Sequence, residues 1–160
     1  MAGIDSAHFR QVLGHVPTGV SIVTAVSGAG PVGLAVGAFF SVSLDPPLVG
    51  FCAGRASASW QAVRSAGTFC VNVLGDDQEA VSRAFAVTGA DKFQGVAWSP
   101  TTRGAPRLHD AIAWIECDID AVHDAGDHEL CIGAVHSLDV GRSAGPLVFY
   151  RGGYGRFSIA

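Results

Sequence analysis

Arginine and serine side chains cluster between Gly54 and Ser59, directly after a short apolar run. The Arg55 guanidinium, the hydroxyls of Ser57 and Ser59, and the free N–H groups of a helix start could together bind a phosphate. The same residues also fit an ordinary loop that ends in a helix cap, with a solvated arginine. The segment therefore predicts an anion site or a plain helix start, and its pattern does not separate the two.

The run from Gly33 to Ala38 contains only small or aliphatic residues. In a β-strand, such a surface would let a planar ring lie close to the backbone. Tight packing of the strand against a neighbouring helix would require equally small residues. Both interpretations stay open from the pattern alone.

Two histidines, His123 and His128, flank a turn signal rich in Gly and Asp. Either could transfer a proton or hydrogen-bond a ligand, although histidines in turns are commonly solvated. Near the C-terminus, Tyr150, Arg151 and Tyr154 could wall a pocket or form a hairpin with exposed rings. No serine or cysteine nucleophile with a flanking base is visible, and no carboxylate pair stands out, so hydrolytic chemistry is not indicated.

Hydrophobic periodicity predicts mostly strands as the elements that position these residues. The predicted strands cover residues 20–26, 32–39, 48–53, 68–74, 115–121, 128–138, 147–150 and 154–157. They do not alternate with helices, and no helix is predicted directly after the first strand, as a G-x-G-x-x-G nucleotide site would require. An antiparallel barrel or sandwich is therefore expected, and a doubly wound nucleotide fold is not.

Three short helices are predicted between these strands. Their N-terminal caps are Asp5 or Ser6, Ser57 or Ser59, and Asp76 in a capping box with Glu79. Residues 88–107 break all periodicity apart from the anchors Phe93, Val96 and Trp98. A loop of that length in a compact domain is usually functional.

The composition is that of one folded domain, residues 1–160, with 49% apolar and 15% charged residues. Ten basic against fourteen acidic residues give a net charge of −4, and no basic run appears. Nucleic acid and membrane surfaces are therefore not expected as partners. A small chain this poor in charge predicts an oligomer, most simply a symmetric dimer. No signal peptide or membrane-length apolar run is present, which predicts a cytoplasmic protein.

Four cysteines occur inside strand-like runs, without any C-x-x-C spacing: Cys52, Cys70, Cys117 and Cys131. This distribution predicts buried, reduced thiols rather than a disulfide framework. The six histidines are scattered, so no metal site is predicted.

Several motifs in this order resemble the short-chain flavin reductase family, whose members bind flavin in an FMN-binding split barrel. The matching segments are residues 9–14, 17–20, 41–49, 69–74, 91–93, 126–128 and 150–152, nearly end to end. The combination most closely resembles the reductase partners of two-component flavin-dependent monooxygenases that hydroxylate aromatic compounds.

This resemblance implies a mainly β fold, a six-stranded antiparallel split barrel of the Greek-key, FMN-binding type with peripheral helices. It also implies a homodimer with flavin bound near the subunit interface. The implied activity is that of an NAD(P)H:flavin oxidoreductase, in which NADH or NADPH reduces FMN or FAD. The reduced flavin would then diffuse to a separate oxygenase.

The resemblance further implies which residues form the site. Ala35 to Phe39 would face the isoalloxazine ring, Ala53 to Ser59 would hold the ribityl phosphate, and His128 would meet the nicotinamide nucleotide as the catalytic candidate. The implied cofactor-binding residues are Ala35, Val36, Gly37, Ala38, Phe39, Ser43, Ala53, Gly54, Arg55, Ser57, Ser59, Arg83, Lys92, Phe93, Tyr150, Arg151 and Tyr154.

One departure from the family lies at residues 35–38, which read Ala-Val-Gly-Ala where members usually carry hydroxyl or amide side chains. Flavin polar atoms would then depend on backbone N–H groups or water, at about 0.5–1.5 kcal/mol for each missing hydrogen bond. The departure keeps open a non-catalytic flavin or haem binding protein on the same barrel. A third alternative is an oxidase of the pyridoxamine-phosphate type, which would retain flavin tightly.

Overall fold

A computed structural model describes residues 3–160 of the chain. Strands dominate, with three short helices between them. In chain order the elements are α1 (Ser6–Leu13), β1 (Thr18–Gly19), β2 (Ser21–Ser27), β3 (Gly30–Val36), β4 (Phe39–Leu44), β5 (Pro47–Gly54), α2 (Ala58–Ala66), β6 (Thr68–Val73), α3 (Glu79–Ala86), β7 (Trp98–Pro100), β8 (Pro106–Leu108), β9 (Ala113–Ala125), β10 (His128–Val140), β11 (Leu147–Tyr150) and β12 (Gly153–Arg156).

The main sheet has seven strands in the order β3-β2-β6-β9-β10-β5-β4, and every neighbouring pair is antiparallel. Strands β3 and β4 follow each other in sequence but form opposite edges of this sheet. Gly37 and Ala38 therefore carry the chain from one edge to the other. The N–H of Cys52 donates to the Ala38 carbonyl at 3.3 Å, which ties this crossing to β5.

The mainly β architecture predicted from the sequence is confirmed, but the six-stranded barrel is wrong in strand count and closure. The sheet has seven strands, and within residues 3–160 its edge strands β3 and β4 share no ladder. The difference arises at Gly37 and Ala38. The ladder between β3 and β2 ends just before these residues, and the chain then begins β4 at the opposite edge of the sheet.

Two smaller sheets complete the fold, β1-β11-β12 and β7-β8. The second of these forms within and just beyond the long loop at residues 88–107. The loop is ordered by its apolar anchors, because Phe93, Val96 and Trp98 pack against a buried cluster that contains Phe85 and Leu108. The predicted anchors are thus confirmed.

A larger buried cluster fills the main sheet, with aromatic rings at its centre. The ring of Phe51 lies 5.4 Å from that of Trp60 and 5.4 Å from that of Phe69, both edge-on. Three thiols are buried within the sheet, and burial raises the pKa of Cys70, Cys117 and Cys131 to about 12. Cys52 is only half-buried, and all four cysteines are free, as predicted.

Local capping explains two of the three helices. The Ser57 hydroxyl accepts from the Trp60 N–H at 3.1 Å, and Gly67 ends α2 in the left-handed region at φ 79°. Asp5 caps α1 in the same way. The capping box at Asp76 is wrong, because α3 begins at Glu79 and its N-cap position is taken by Gln78.

Helix α1 turns its apolar side chains to solvent instead of to the core. Phe9, Val12 and Leu13 are 53%, 51% and 47% exposed. Strand β4 exposes further apolar side chains, among them Leu44 at 95%. A single chain leaves these surfaces uncovered. None of the helices described between residues 3 and 160 is long and apolar enough to cross a membrane.

Candidate functional site

A cavity of about 220 Å³ lies beside the last residues of β3. We call it the Gly37 cavity, and its walls come from β1, β3, α3, β11 and β12. The lining residues are Thr18, Val20, Ala35, Val36, Gly37, Ser82, Ala86, Phe149 and Tyr154. The hydroxyls of Tyr154 and Ser82 are hydrogen-bonded at 2.8 Å, and the Arg83 guanidinium lies 4.9 Å from the Tyr154 ring centroid. The walls of the cavity are thus mostly apolar, with a few polar groups among them.

A second cavity, of about 330 Å³, lies beside the first half of β3. We call it the Lys92 cavity, and it is bounded by the N-terminus of α2 and the loop after α3. The lining residues are Pro31, Val32, Gly33, Ala58, Ser59, Ala62, Gly89, Ala90, Asp91, Lys92 and Phe93. Three of the predicted site residues, Ser59, Lys92 and Phe93, therefore meet here.

Lys92 supplies the positive charge of this cavity. Its ammonium donates to the Ser59 hydroxyl at 3.0 Å and to the carbonyls of Gly33 and Phe85 at 3.2 and 3.3 Å. Partial burial lowers its pKa. None of the ion pairs found in residues 3–160 involves Lys92, so no carboxylate neutralises its charge.

Strand β3 joins the two cavities along its free edge. The Gly33 carbonyl accepts from Lys92, so the backbone groups of this residue point away from β2. Alternation along an antiparallel strand directs the N–H and C=O of Ala35 to the same edge. An edge strand therefore offers ligand-binding backbone groups at the positions where side-chain donors are missing.

The structure gives different surroundings to the two glycines of the small-residue run. A Cβ on Gly33 would lie 2.8 Å from Phe85 Cε1, so this residue is small because α3 packs against it. A Cβ on Gly37 would instead lie 3.1 Å from the Thr18 hydroxyl oxygen, at the wall of the Gly37 cavity. Gly33 therefore serves packing, and Gly37 keeps a cavity wall accessible.

The predicted phosphate cradle at residues 55–59 is divided among other partners. Arg55 forms a 2.7 Å ion pair with Asp124, and its Nε donates to the Gly126 carbonyl at 2.8 Å. Ser57 is engaged as the helix cap. Of the three polar side chains, only that of Ser59, bonded to Lys92, belongs to a residue on the wall of the Lys92 cavity.

Glu129 is a buried carboxylate that fastens α2 to the main sheet. The Trp60 indole N–H donates to it at 2.6 Å, and Arg64 pairs with it at 2.7 Å. Arg55 approaches the same carboxylate at 3.4 Å. The Trp60 hydrogen bond, followed by the charge of Arg64, holds the pKa of Glu129 below its usual range.

His128 opens β10 and is paired with Gly54 across the ladder, so it lies beside the start of the segment at residues 54–59. Its Nδ1 is 2.7 Å from the Asp127 carboxylate, and its side chain is 51% exposed. The ring is thus held at one nitrogen and accessible from solvent. His123, the other turn histidine, is paired opposite Leu130 and is exposed.

The remaining predicted residues lie away from the two cavity walls. Phe39 and Ala53 pack into the larger buried cluster. Ser43 lies at the far end of β4, opposite Leu48. The turn that contains Tyr150 and Arg151 packs against the end of α1: the Arg151 N–H donates to the Gly14 carbonyl at 2.9 Å.

Five residues of the Gly37 cavity were not among the predicted site residues: Thr18, Ser82 and Phe149, together with the aliphatic Val20 and Ala86. The first lies in a Pro-Thr-Gly turn signal, and the third precedes Tyr150 in a strand whose side chains alternate in direction. No pattern in the sequence singles out Ser82 within its predicted helix. In the part of the chain that the structure describes, no group of three or more His, Cys, Asp or Glu side chains could hold a metal ion.

Comparison with known protein families identifies one family model, described as flavin reductase like domain, which matches residues 13–158. A flavin reductase from Pseudomonas putida is 48% identical over 158 residues, covering 98% of this chain and 93% of the relative. The reductase subunit HsaB of a flavin-dependent monooxygenase from Mycobacterium tuberculosis is 45% identical over 155 residues, covering 96% and 83%.

Solved structures give the same result. Nitrilotriacetate monooxygenase component B from Mycobacterium thermoresistibile superposes with a TM-score of 0.93 at 44% identity, covering 96% of this chain and 87% of that one. The NADH:FAD oxidoreductase SgcE6 of Streptomyces globisporus, solved with NAD and FAD fragments, gives 0.90 at 36% identity and covers 98% of each chain.

Proposed function

The chain belongs to the family of flavin reductase like domains, and from that premise we propose that it is an NAD(P)H:flavin oxidoreductase supplying reduced FMN or FAD to a separate monooxygenase. Two of the similar proteins are named as components of such systems, the reductase subunit HsaB of a flavin-dependent monooxygenase and component B of nitrilotriacetate monooxygenase. The observation that carries the proposal is the pair of cavities joined by the free edge of β3.

The proposed flavin lies along that edge, with its ring at the Gly37 cavity and its phosphate at the Lys92 cavity. Gly33 and Ala35 are two residues apart, which in a strand corresponds to about 7 Å. This spacing suits a flat ring followed by a short ribityl chain. The backbone groups of Ala35 and its neighbours take the place of the family's polar side chains at residues 35–38.

Lys92 and the start of α2 form the proposed phosphate site. The Lys92 ammonium is partly desolvated and forms no ion pair with a carboxylate among residues 3–160. A phosphate bound there would therefore not compete with a carboxylate for the charge of Lys92. The first N–H groups of α2 point out of the helix beside Ser59 and add positive potential. Arg55 contributes less, because Asp124 and Glu129 already neutralise it.

His128 is the proposed nicotinamide-positioning residue. When flavin and nicotinamide are bound, they supply the hydride chemistry themselves, and the protein contributes position and exclusion of water. The exposed imidazole, fixed by Asp127, can hydrogen-bond the amide or phosphate of the donor. Its place beside Gly54 puts it next to the segment that leads into α2.

We also propose that the chain forms a homodimer through its uncovered apolar surfaces. The side chains of Phe9 and Val12 in α1 and of Leu44 in β4 are each more than half exposed. A small monomeric protein rarely leaves so many large apolar side chains in water, so a second copy is expected to cover them. Sedimentation velocity should give the mass of a dimer, and Val12→Lys should shift the protein towards the monomer. A wild-type monomer at micromolar concentration would contradict the proposal.

The four free thiols fit a reducing, cytoplasmic location.

Steady-state oxidation of NADH and NADPH, measured with added FMN, FAD or riboflavin, tests the proposed function. A flavin reductase turns over many equivalents of flavin and leaves reduced flavin in solution. Flavin binding without turnover would indicate the non-catalytic binding module instead. Tightly retained flavin with amine-dependent oxygen uptake would indicate an oxidase of the pyridoxamine-phosphate type.

A further inference from the structure

We propose that the Thr18 hydroxyl is a flavin-positioning group that hydrogen-bonds the polar edge of the isoalloxazine ring in the Gly37 cavity. The inference rests on the proposed function, since it assigns a residue to the ring end of that flavin site. It concerns a side chain outside the segment at residues 35–39.

The first observation is an unpaired hydroxyl. Thr18 Oγ1 is buried, and it has no hydrogen-bond partner among residues 3–160. The other two hydroxyls of this cavity, on Tyr154 and Ser82, are bonded to each other. A buried polar group without a partner is unfavourable in a folded protein, so an unpaired one beside a cavity suggests a missing ligand.

The second observation is the space left by Gly37. Thr18 Oγ1 is the atom nearest to the position that a Cβ on Gly37 would occupy, at 3.1 Å. A side chain at residue 37 would press against this hydroxyl, which is itself buried in the present rotamer. Glycine avoids that contact, and rotation of Thr18 about χ1 exchanges its methyl and hydroxyl groups between staggered positions. The hydroxyl can therefore turn towards a ring that lies against Gly37.

The third observation is that Thr18 is held in place by the sheet. It is paired with Phe149 across the β1–β11 ladder, and Phe149 lines the same cavity. A hydroxyl on a paired strand loses little freedom when it binds a ligand. Thr18 thus supplies, from β1, a side-chain hydrogen bond of the kind that Ala35 to Ala38 cannot supply from β3.

The test measures the affinity of the ligand-free protein for riboflavin, which carries the ring but no phosphate, by quenching of flavin fluorescence. Thr18→Val removes the hydroxyl and keeps the shape, and we expect it to weaken riboflavin binding about threefold to tenfold. FMN binding should weaken by the same factor. Thr18→Ser keeps the hydroxyl and should stay within about twofold of wild type. The visible absorption band of bound flavin should shift in Thr18→Val but not in Thr18→Ser.

Thr101→Val is the matched control, because Thr101 Oγ1 is the other buried hydroxyl without a partner in the described residues and lies outside both cavities. It should leave flavin affinity unchanged. In the absence of flavin, Thr18→Val should melt at or above the wild-type temperature, since it removes an unpaired polar atom.

Equal riboflavin affinities in Thr18→Val and wild type would overturn the inference. So would a larger loss in Thr18→Ser than in Thr18→Val, because the packing of the methyl group would then matter more than the hydroxyl. A wild-type protein that neither binds flavin nor oxidises NADH with it would instead overturn the proposed function. Flavin reduction by wild type together with unaffected binding in Thr18→Val would overturn only the role of Thr18.

Discussion

The guanidinium of Arg55 lies 2.7 Å from the carboxylate of Asp124, on the hairpin that also carries His128. Asp124 therefore has its pKa held below the usual range by the hydrogen bond from Arg55 and by its charge. A second carboxylate, that of Glu129, lies 3.4 Å from the same guanidinium. The arginine that the sequence offers as a phosphate ligand is thus already paired, whereas Lys92 is not.

We expect Lys92→Gln to weaken FMN binding more than Arg55→Gln does. Loss of a charge-assisted hydrogen bond to phosphate corresponds to about a tenfold loss of affinity or more. Riboflavin binding should change little in either variant, because it has no phosphate. Fluorescence-quenching titrations with FMN and riboflavin measure both effects. A larger FMN loss in Arg55→Gln would place the phosphate at the hairpin instead.

His128→Ala should raise the KM for NADH while leaving the Kd of flavin close to that of wild type. The expected increase in KM is about twofold to tenfold, the range of one lost hydrogen bond. His123→Ala is the matched control, because this turn histidine is also exposed but is not paired with Gly54. Equal losses for NADH and flavin in His128→Ala would show that the ring supports the whole hairpin and does not position the donor.

Stability at acid pH should depend on Glu129. Its pKa is lowered in the folded protein by the Trp60 hydrogen bond and the charge of Arg64. A carboxylate with a lowered folded pKa stabilises the protein fully above its unfolded pKa, about 4.3 for glutamate, and this contribution is lost as the pH falls through the folded value. Glu129→Gln should therefore lower the melting temperature at pH 7 and flatten its decline below about pH 4.3.

Glu79→Gln gives the comparison for that experiment, because Glu79 is an exposed carboxylate whose one ion pair within residues 3–160 is with Arg83 on its own helix. It should leave the acid limb of the stability curve parallel to that of wild type. A Glu129→Gln curve that stays parallel to wild type would show that the charge of Glu129 contributes nothing to the attachment of α2.

Local patterns predicted most of the elements, and apart from the cap of α3 the errors arise from contacts distant in sequence. The cap of α2 at Ser57 and its end at Gly67 could be predicted because each depends on residues within one turn. The partners of Arg55 could not, since Asp124 and Glu129 are 69 and 74 positions away. The number of strands could not be predicted either, because no local periodicity marks Gly37 as the place where the chain passes from one edge of the sheet to the other.

The candidate site shows the same division. The resemblance implied Ala35, Gly37 and Tyr154 as cofactor-binding residues without placing them together, and the structure brings all three to the wall of one cavity. The resemblance includes Thr18 in its matching segment at residues 17–20 but gives it no role, because its hydroxyl becomes notable only when its neighbours are known to leave it unpaired. Whether a polar side chain is satisfied is a property of the packed structure, so the sequence alone gives no measure of it.

Gly33→Ala should destabilise the protein, because the new methyl group would lie 2.8 Å from Phe85 Cε1 and 3.1 Å from the Val23 carbonyl oxygen. Overpacking of this kind costs about 1–3 kcal/mol. Replacement of a glycine also restricts the unfolded chain, which stabilises by about 0.4–1 kcal/mol, so a net loss is expected. Urea unfolding followed by circular dichroism measures the free energy of unfolding.

Gly28→Ala, at a turn position with open space around it, should be neutral or slightly stabilising. A second replacement, Phe85→Leu, removes the ring edge, and in that background Gly33→Ala should cost less than it does alone. If Gly33→Ala lowers the free energy of unfolding by the same amount with and without the Phe85 ring, the glycine at position 33 does not serve the packing of α3. Close approach of a ligand would then be the better explanation for both Gly33 and Gly37.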